Sequence, residues 1–375
     1  MEKRIKVVLI ISRMNVGGPA VLIDGLIRTI SSKIFEMHII AGQCLDGELD
    51  YLDLHPELRN FAKIHRVTTL NRAVMPIKEI TSFFQIFRII KQINPDIVHT
   101  HLSKAGVLGR LATKLISKKI YVAHTFHGHL LYGYFSKFKV KLLVLVEQIL
   151  AHMTDLLIAV TFQVENDMKV AGVGNERKWQ VIHPGVRQPN LSNEIHRNNR
   201  ILWVGRFTDI KNPMLAIEIF DCLAHELKLN YEFQMIGDGE LFEQAKSAAS
   251  VLNLKVDFTG WSSAVSDHIQ GCTALLMTSK NEGMPLVLIE SASLGIPTFS
   301  TEVGGIPEFI QDSKTGFLIS QNPKLAAAKI AVAIVDNTLM QQVSLNALKE
   351  YEKGYSLLAF AEKHQEVYLN AIREI

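Results

Sequence analysis

Short apolar, β-branched runs alternate with longer amphipathic segments along this chain, and the alternation starts twice. In the first half the runs are IKVVLIIS, FEMHIIAG, PDIVHTH, KIYVAHTFHG, DLLIAVT and WQVIHPG, with helical patterns such as VLIDGLIRTI and IKEITSFFQIFRIIKQI between them. Runs that are apolar throughout suit strands covered on both faces, as in a parallel sheet. The pattern restarts with RILWVGRF, YEFQMIGDG, VDFTGW, ALLMTS and IPTFST. The break falls at PGVRQPNLSNEIHRNNR, residues 184 to 200, which is polar and rich in Pro and Asn, as a linker should be. The reading is α/β: two doubly wound Rossmann-like domains, each binding ligands beyond the carboxyl ends of its strands and facing the other across a cleft.

A length of 375 residues suits two domains, and 48% hydrophobic against 21% charged residues is enough to fill both cores. A formal charge of +3 gives no argument for nucleic acid. Cys44, Cys222 and Cys272 are far apart, without zinc spacing or a disulfide framework, so a reducing compartment is expected. The opening MEKRIKVVLIISRMN reads as a first strand rather than a signal peptide, because its apolar run stops at Arg13. No stretch reaches about 18 uninterrupted apolar residues, so no transmembrane helix is expected.

The stretch SKNEGMPLVLIESASLGIP, residues 279 to 297, carries the most chemistry. ALLMTS is a buried strand and KNEG leaves its carboxyl end. Pro285 suits the first turn of a helix, and Gly295 with Pro297 ends it. The free N–H groups of the helix start attract phosphate. Leu286 and Glu290 share one helix face, with Glu290 about 6 Å farther along, while Glu282 lies in the preceding loop. Two carboxylates flanking an anion site match a ligand with hydroxyls at both ends and phosphates in the middle, which is a nucleotide sugar. The plainer alternative is that Glu282 answers the helix dipole and Glu290 is a solvated helix residue. Arg206 and Lys211, in WVGRFTDIKNP, follow a strand and precede a helix; they either reach such a ligand or are surface cations.

NEGMPLVLIESASLGIP resembles the E-x7-E signature of retaining family 4 glycosyltransferases, which have the two-domain GT-B fold. WVGRFTDIKNP, MIGDGEL, FTGW and STEVGGIPEFI fit the same family in the expected order. The resemblance implies an N-terminal acceptor-binding domain over 1–185 and a donor-binding domain over 186–355. It also implies a last helix, 356–375, crossing back to the first domain. It implies that Arg206 and Lys211 clamp the donor diphosphate, whose growing negative charge needs fixed cations, so that neither metal nor cofactor is required. Glu290 would bind ribose hydroxyls and Glu282 the donor sugar. The separate loops carrying Gly237 and Gly283, and backbone N–H groups of Met284, Leu286 and Val287 after Pro285, would belong to the donor site and reach sugar and phosphate oxygens. Trp261 would either stack on uracil or pack.

SRMNVGGPA places Gly17 and Gly18 after the first strand, where backbone can approach a ligand. It lacks the G-x-G-x-x-G fingerprint of a dehydrogenase. In the family this loop faces the donor phosphates and the acceptor. His99, His101, His124, His127 and His129 raise the question of a metal, but no neighbouring carboxylate or cysteine completes a set. The family places one histidine beside the donor sugar, and His127 in HTFHG matches it.

The expected activity is retaining transfer of a hexose or N-acetylhexosamine from a uridine diphosphate sugar. The acceptor is a glycan or undecaprenyl-diphosphate-linked sugar, in bacterial surface polysaccharide synthesis. Alternatives of other classes are a sugar-nucleotide 2-epimerase of the same architecture and a non-catalytic sugar-nucleotide-binding subunit. GYFSKFKVKLLVLVEQIL, with Phe135, Phe138, Lys137, Lys139 and Lys141, either covers the sheet or lies on an anionic bilayer. The second choice makes the protein peripheral on the cytoplasmic membrane face.

Overall fold

The computed structural model describes residues 3–45, 47–71, 75–128, 137–189 and 198–374. His129, Phe135 and residues 190–197 of the expected linker lie outside them, as does the Lys137 side chain. The chain divides into two compact units: Met1–Gly185 with Leu357–Ile375, and Val186–Ser356. Each is a parallel sheet between helices, as the alternating pattern requires.

The first unit holds seven strands: β1 (Ile5–Ile11), β2 (Phe35–Gly42), β3 (Ala62–Val67), β4 (Ile97–His101), β5 (Tyr121–Phe126), β6 (Leu156–Ala159) and β7 (Trp179–Val181). Their order is β3-β2-β1-β4-β5-β6-β7. Leu9 of β1 lies beside Ile39 of β2 on one side and His99 of β4 on the other. Val7 through Ile11 are buried, which is why β1 can be apolar on both faces. The order reverses at β1 and β4, and the loops beyond their carboxyl ends lie at the switch point where open α/β sheets bind ligands.

The second unit holds β8 (Arg200–Val204), β9 (Glu232–Ile236), β10 (Val256–Gly260), β11 (Ala274–Met277), β12 (Thr298–Thr301) and β13 (Phe317–Ile319). They lie in the order β10-β9-β8-β11-β12-β13. The switch point here is between β8 and β11, which puts the loop at Arg206 beside the loop at Glu282. Two strands escape the sequence pattern. β3, AKIHRV, sits at a sheet edge with most of its side chains half-buried or exposed, and β13 has three residues.

The last helix, Leu357–Glu374, packs within the first unit against the Gly18–Thr29 helix, with Gly25 leaving room for Leu357. The Ser103–Ile116 helix lies close on the sheet through Gly106 and Gly109. A Cβ at Gly106 would sit 2.6 Å from the His124 ring, and one at Gly109 would sit 2.8 Å from Thr100. The glycines of SKAGVLG are thus set by helix–sheet packing.

Candidate active site

In the second unit, cross-links hold the two switch-point loops together. Trp203 Nε1 donates to Thr278 Oγ1 at 3.0 Å, Thr278 Oγ1 donates to the Asn212 carbonyl at 2.8 Å, and the Lys280 amide donates to the Ile210 carbonyl at 2.8 Å. The result brings Lys211 and Glu282, 71 positions apart, into an ion pair. Ser279 Oγ donates to the same Glu282 oxygen at 2.6 Å. The Glu282 backbone is fixed from behind by Gly304, whose φ of +54° and missing Cβ let it lie against the Glu282 carbonyl; a Cβ there would be 1.8 Å away. Gly305 N–H donates to the Gly283 carbonyl at 3.0 Å.

The helix after this loop is Leu286–Ser293. Pro285 is its N-cap, with φ −72° and ψ 127°, rather than a first-turn residue: its backbone is still extended, and helical turning begins at Leu286. No side chain caps this end, so the helix start keeps its donors for another partner. The other end closes as the sequence indicates. Gly295, at φ +64°, donates to Ala292 at 3.0 Å and Ile296 donates to Ser291 at 2.9 Å, the paired bonds of a Schellman turn. Met284 is buried in the core, while Leu286 and Val287 pack partly against it, so these three can offer a ligand mainly backbone N–H groups. Glu290, one turn on, is half-buried, and its carboxylate has no partner among the described residues. Burial pushes its pKa up to about 7.

Arg206 is exposed, with no side-chain partner among the described residues. Its loop is shaped by the neighbouring strand ends. Gly237 has φ +131°, and a Cβ on it would lie 1.9 Å from the Gly205 carbonyl; Phe207 N–H donates to the Asp238 carbonyl at 3.0 Å. Gly237 is therefore required by chain packing, and it sets the path of the Arg206 loop. Trp261 is 46% exposed at the end of β10, so it is not a core packing residue.

In the first unit, Gly17 caps the Gly18–Thr29 helix with extended backbone, φ 166° and ψ 172°, which any residue adopts. A Cβ on Gly17 would meet nothing closer than 3.9 Å. The fold itself does not require glycine there, and the space beside it is open. The histidines lie at the adjacent ends of β4 and β5. His99 Nδ1 bonds Tyr368 Oη and its Nε2 bonds Thr125 Oγ1, both at 2.7 Å. His124 Nδ1 bonds Thr100 Oγ1 at 2.8 Å, and His101 Nδ1 bonds His127 Nε2 at 2.9 Å. Burial lowers the pKa of His99, His101 and His124 well below the ordinary value and that of His127 to about 4, so the cluster is neutral. Among the described residues, no three His, Cys, Asp or Glu side chains are grouped to hold a metal ion. Sequence reasoning missed Ser279, the His101–His127 bond and the part played by His364 and Tyr368. Only the S-x-x-E spacing of Ser279 and Glu282 offered a signal.

The Lys137–His152 helix exposes Phe138, Leu142, Leu145 and Ile149 in one stripe, with Lys139 and Lys141 exposed beside it. Its other face is anchored by the buried Arg110–Glu147 pair at 2.7 Å. Among the described residues, no helix is long and apolar enough to cross a membrane.

Two parallel-sheet Rossmann-like units of this kind define the GT-B class, and solved structures agree. Anabaena HepE in complex with UDP and glucose superposes with a TM-score of 0.82 at 16% identity, over 98% of this chain and 100% of that one. Residues 16–188 match the family described as Glycosyltransferase Family 4, and residues 188–350 match the one described as Glycosyl transferases group 1. Among curated relatives, the Escherichia coli UDP-Gal:alpha-D-GlcNAc-diphosphoundecaprenol alpha-1,3-galactosyltransferase is 27% identical, over 92% of this chain and 91% of that one. The Staphylococcus aureus capsular polysaccharide biosynthesis glycosyltransferase CapM is 23% identical, over 94% of each. The chain belongs to the glycosyltransferases of the family 4 type.

Proposed function

We propose that this protein transfers a hexose or N-acetylhexosamine, with retention, from a uridine diphosphate sugar to a lipid-linked sugar in bacterial surface polysaccharide assembly. The relatives support the substrate classes: one is named for UDP-Gal and a diphosphoundecaprenol-linked acceptor, another for capsule synthesis. The observation that carries the reading is the convergence on one switch point of Lys211, Glu282, an uncapped helix start and a half-buried Glu290 without a partner.

The diphosphate lies on the amides of Leu286 and Val287, with Arg206 and Lys211 as cations. Glu290 accepts the ribose hydroxyls. Glu282, held by Ser279 and Lys211, meets the sugar. Trp261 stacks on the base. Gly17, Gly18 and His127 serve the reacting end from the first unit. The bond from the anomeric carbon to the diphosphate oxygen breaks, and a bond from the acceptor oxygen forms on the same face. The acceptor's proton goes to the leaving diphosphate. Fixed cations take the developing charge, so the chemistry needs no metal.

The stripe at Phe138, Leu142, Leu145 and Ile149, with its lysines, supports peripheral binding to the cytoplasmic membrane face, where a lipid-linked acceptor resides. A panel of uridine diphosphate sugars, screened by thermal shift and then by NMR of the product's anomeric configuration, tests the reading. A product of the donor's configuration is expected; an inverted one refutes retention. Incubation with donor alone separates a transferase, which hydrolyses it slowly at most, from an epimerase, which converts the sugar.

A further inference from the structure

β4 and β5 run in register, with His99 beside Ala123 and His101 beside Thr125. The two-residue period of a strand puts His99 and His101 on one face. The last helix covers that face: His99 is 5.8 Å from His364 between ring centroids, and its Nδ1 bonds Tyr368. Both nitrogens of His99 are therefore satisfied. His364 Nδ1 donates to the Phe360 carbonyl at 2.9 Å. The exception is His101. Its Nδ1 meets His127 Nε2, and its Nε2 is buried with no hydrogen-bond partner among the described residues.

Two neutral imidazoles joined by one hydrogen bond share a single proton in it, and there are two ways to place it. If His127 donates, His101 must carry its proton on Nε2, and a buried N–H is left without an acceptor. If His101 donates, its Nε2 carries a lone pair instead. Orphaned buried N–H groups are rarer than under-satisfied acceptors. The second arrangement is favoured. We propose that His101 is the positioning residue for His127: its Nδ1–H, donated to His127 Nε2, fixes His127 as the Nδ1–H tautomer.

His127 is half-buried, and its Nδ1 has no partner among the described residues. In this tautomer it presents a donor, selecting an oxygen acceptor on the ligand. The opposite tautomer would present a lone pair and select a hydroxyl proton. The backbone adds a second sign that this place is held deliberately. Leu102, directly after His101, has φ +65° and ψ 156°, a conformation that non-glycine residues rarely adopt. Such outliers persist where surrounding structure over-determines them, and they cluster at functional sites. Here Gly106 N–H bonds the Leu102 carbonyl at 2.8 Å and Ala105 N–H bonds Ser12 Oγ at 3.1 Å, pinning the strand end that carries His101.

The consequence for turnover rests on the glycosyltransferase reading of His127; the tautomer does not. The test therefore has two arms on the full-length protein. In the first, the ¹⁵N-labelled imidazoles are observed by NMR, with His127→Asn identifying the His127 signals. The expected result is a protonated Nδ1 and an unprotonated Nε2. A protonated Nε2 overturns the proposal, whatever the activity. In the second arm, His101→Leu removes the donor and His101→Asn keeps an N–H near the Nδ1 position. His101→Leu should lower kcat about 10- to 100-fold, the scale of one lost hydrogen bond to a buried partner, with the donor KM changed less. His101→Asn should recover most of the loss. Leu and Asn variants with equal kcat would overturn the positioning role. If the tautomer is as stated but His127→Asn leaves transfer unchanged, it is the reading of His127 that falls.

Discussion

Replacing Lys211 with Ala separates the ion pair that the structure shows from the grip on the diphosphate proposed above. Lys211 and Glu282 form an ion pair with side chains 23% and 11% exposed, so it is partly desolvated. Removing the ammonium leaves the Glu282 carboxylate with Ser279 Oγ as its remaining side-chain partner among the described residues. Losing one charged hydrogen bond of this kind costs about 1–3 kcal/mol. For a unit of this size that is a fall in Tm of about 2–12 °C. If Lys211 holds the leaving diphosphate as proposed, the same substitution also removes that cation, and loss of one such preorganised group lowers turnover by about 10²–10³. The double variant Lys211→Ala with Glu282→Gln discriminates between these two roles. With no charge left behind, it should regain part of the lost Tm but none of the activity. The assay pairs thermal unfolding with release of uridine diphosphate in the presence of acceptor. A Lys211→Ala enzyme within about threefold of wild-type kcat/KM would refute the diphosphate clamp, since a missing cation cannot be so nearly neutral.

Other consequences follow from particular residues. Glu290, whose pKa is raised by burial to about 7, binds its proton more tightly folded than unfolded. Its contribution to stability is full below the unfolded carboxylate range and is lost as pH rises towards and through 7. The unliganded protein should therefore lose Tm between pH 5 and pH 8, and Glu290→Gln should flatten that slope. Ribose hydroxyls favour the ionised carboxylate, so uridine diphosphate should bind with proton release near pH 6.5, seen by calorimetry in buffers of different ionisation heat; Glu290→Gln should abolish the release. Glu147→Ala leaves buried Arg110 without its carboxylate and should destabilise the first unit by about 3–5 kcal/mol, measured by chemical denaturation. Replacing Phe138 and Leu142 by Ser should reduce flotation with anionic liposomes without changing Tm by more than a few degrees, because both side chains are exposed. Unchanged flotation would remove this stripe from the membrane account.

Much of the fold was legible because parallel strands announce themselves as short apolar or β-branched runs, and eleven runs mark strands β1, β2 and β4 to β12. β3 was not: in AKIHRV only the end residues Ala62 and Val67 are buried, Lys63 is exposed and Ile64 to Arg66 are half covered, so no apolar run forms. The site was legible only as motifs. Lys211 and Glu282 are far apart in sequence, and their pairing depends on β8 lying beside β11, which no local pattern states. Likewise, the strand period puts His99 and His101 on one face, but nothing in HTFHG says that His127 returns to His101. Tyr368 and His364 were hidden further, inside an ordinary amphipathic helix whose burial partner lies more than 260 positions earlier.

The most direct test is a crystal structure with uridine diphosphate bound. The account predicts its β-phosphate within hydrogen-bonding distance of Arg206 or Lys211 and of the Leu286 and Val287 amides, with the ribose hydroxyls on Glu290. A nucleotide bound in the second unit with its diphosphate away from the start of the Leu286–Ser293 helix would contradict it.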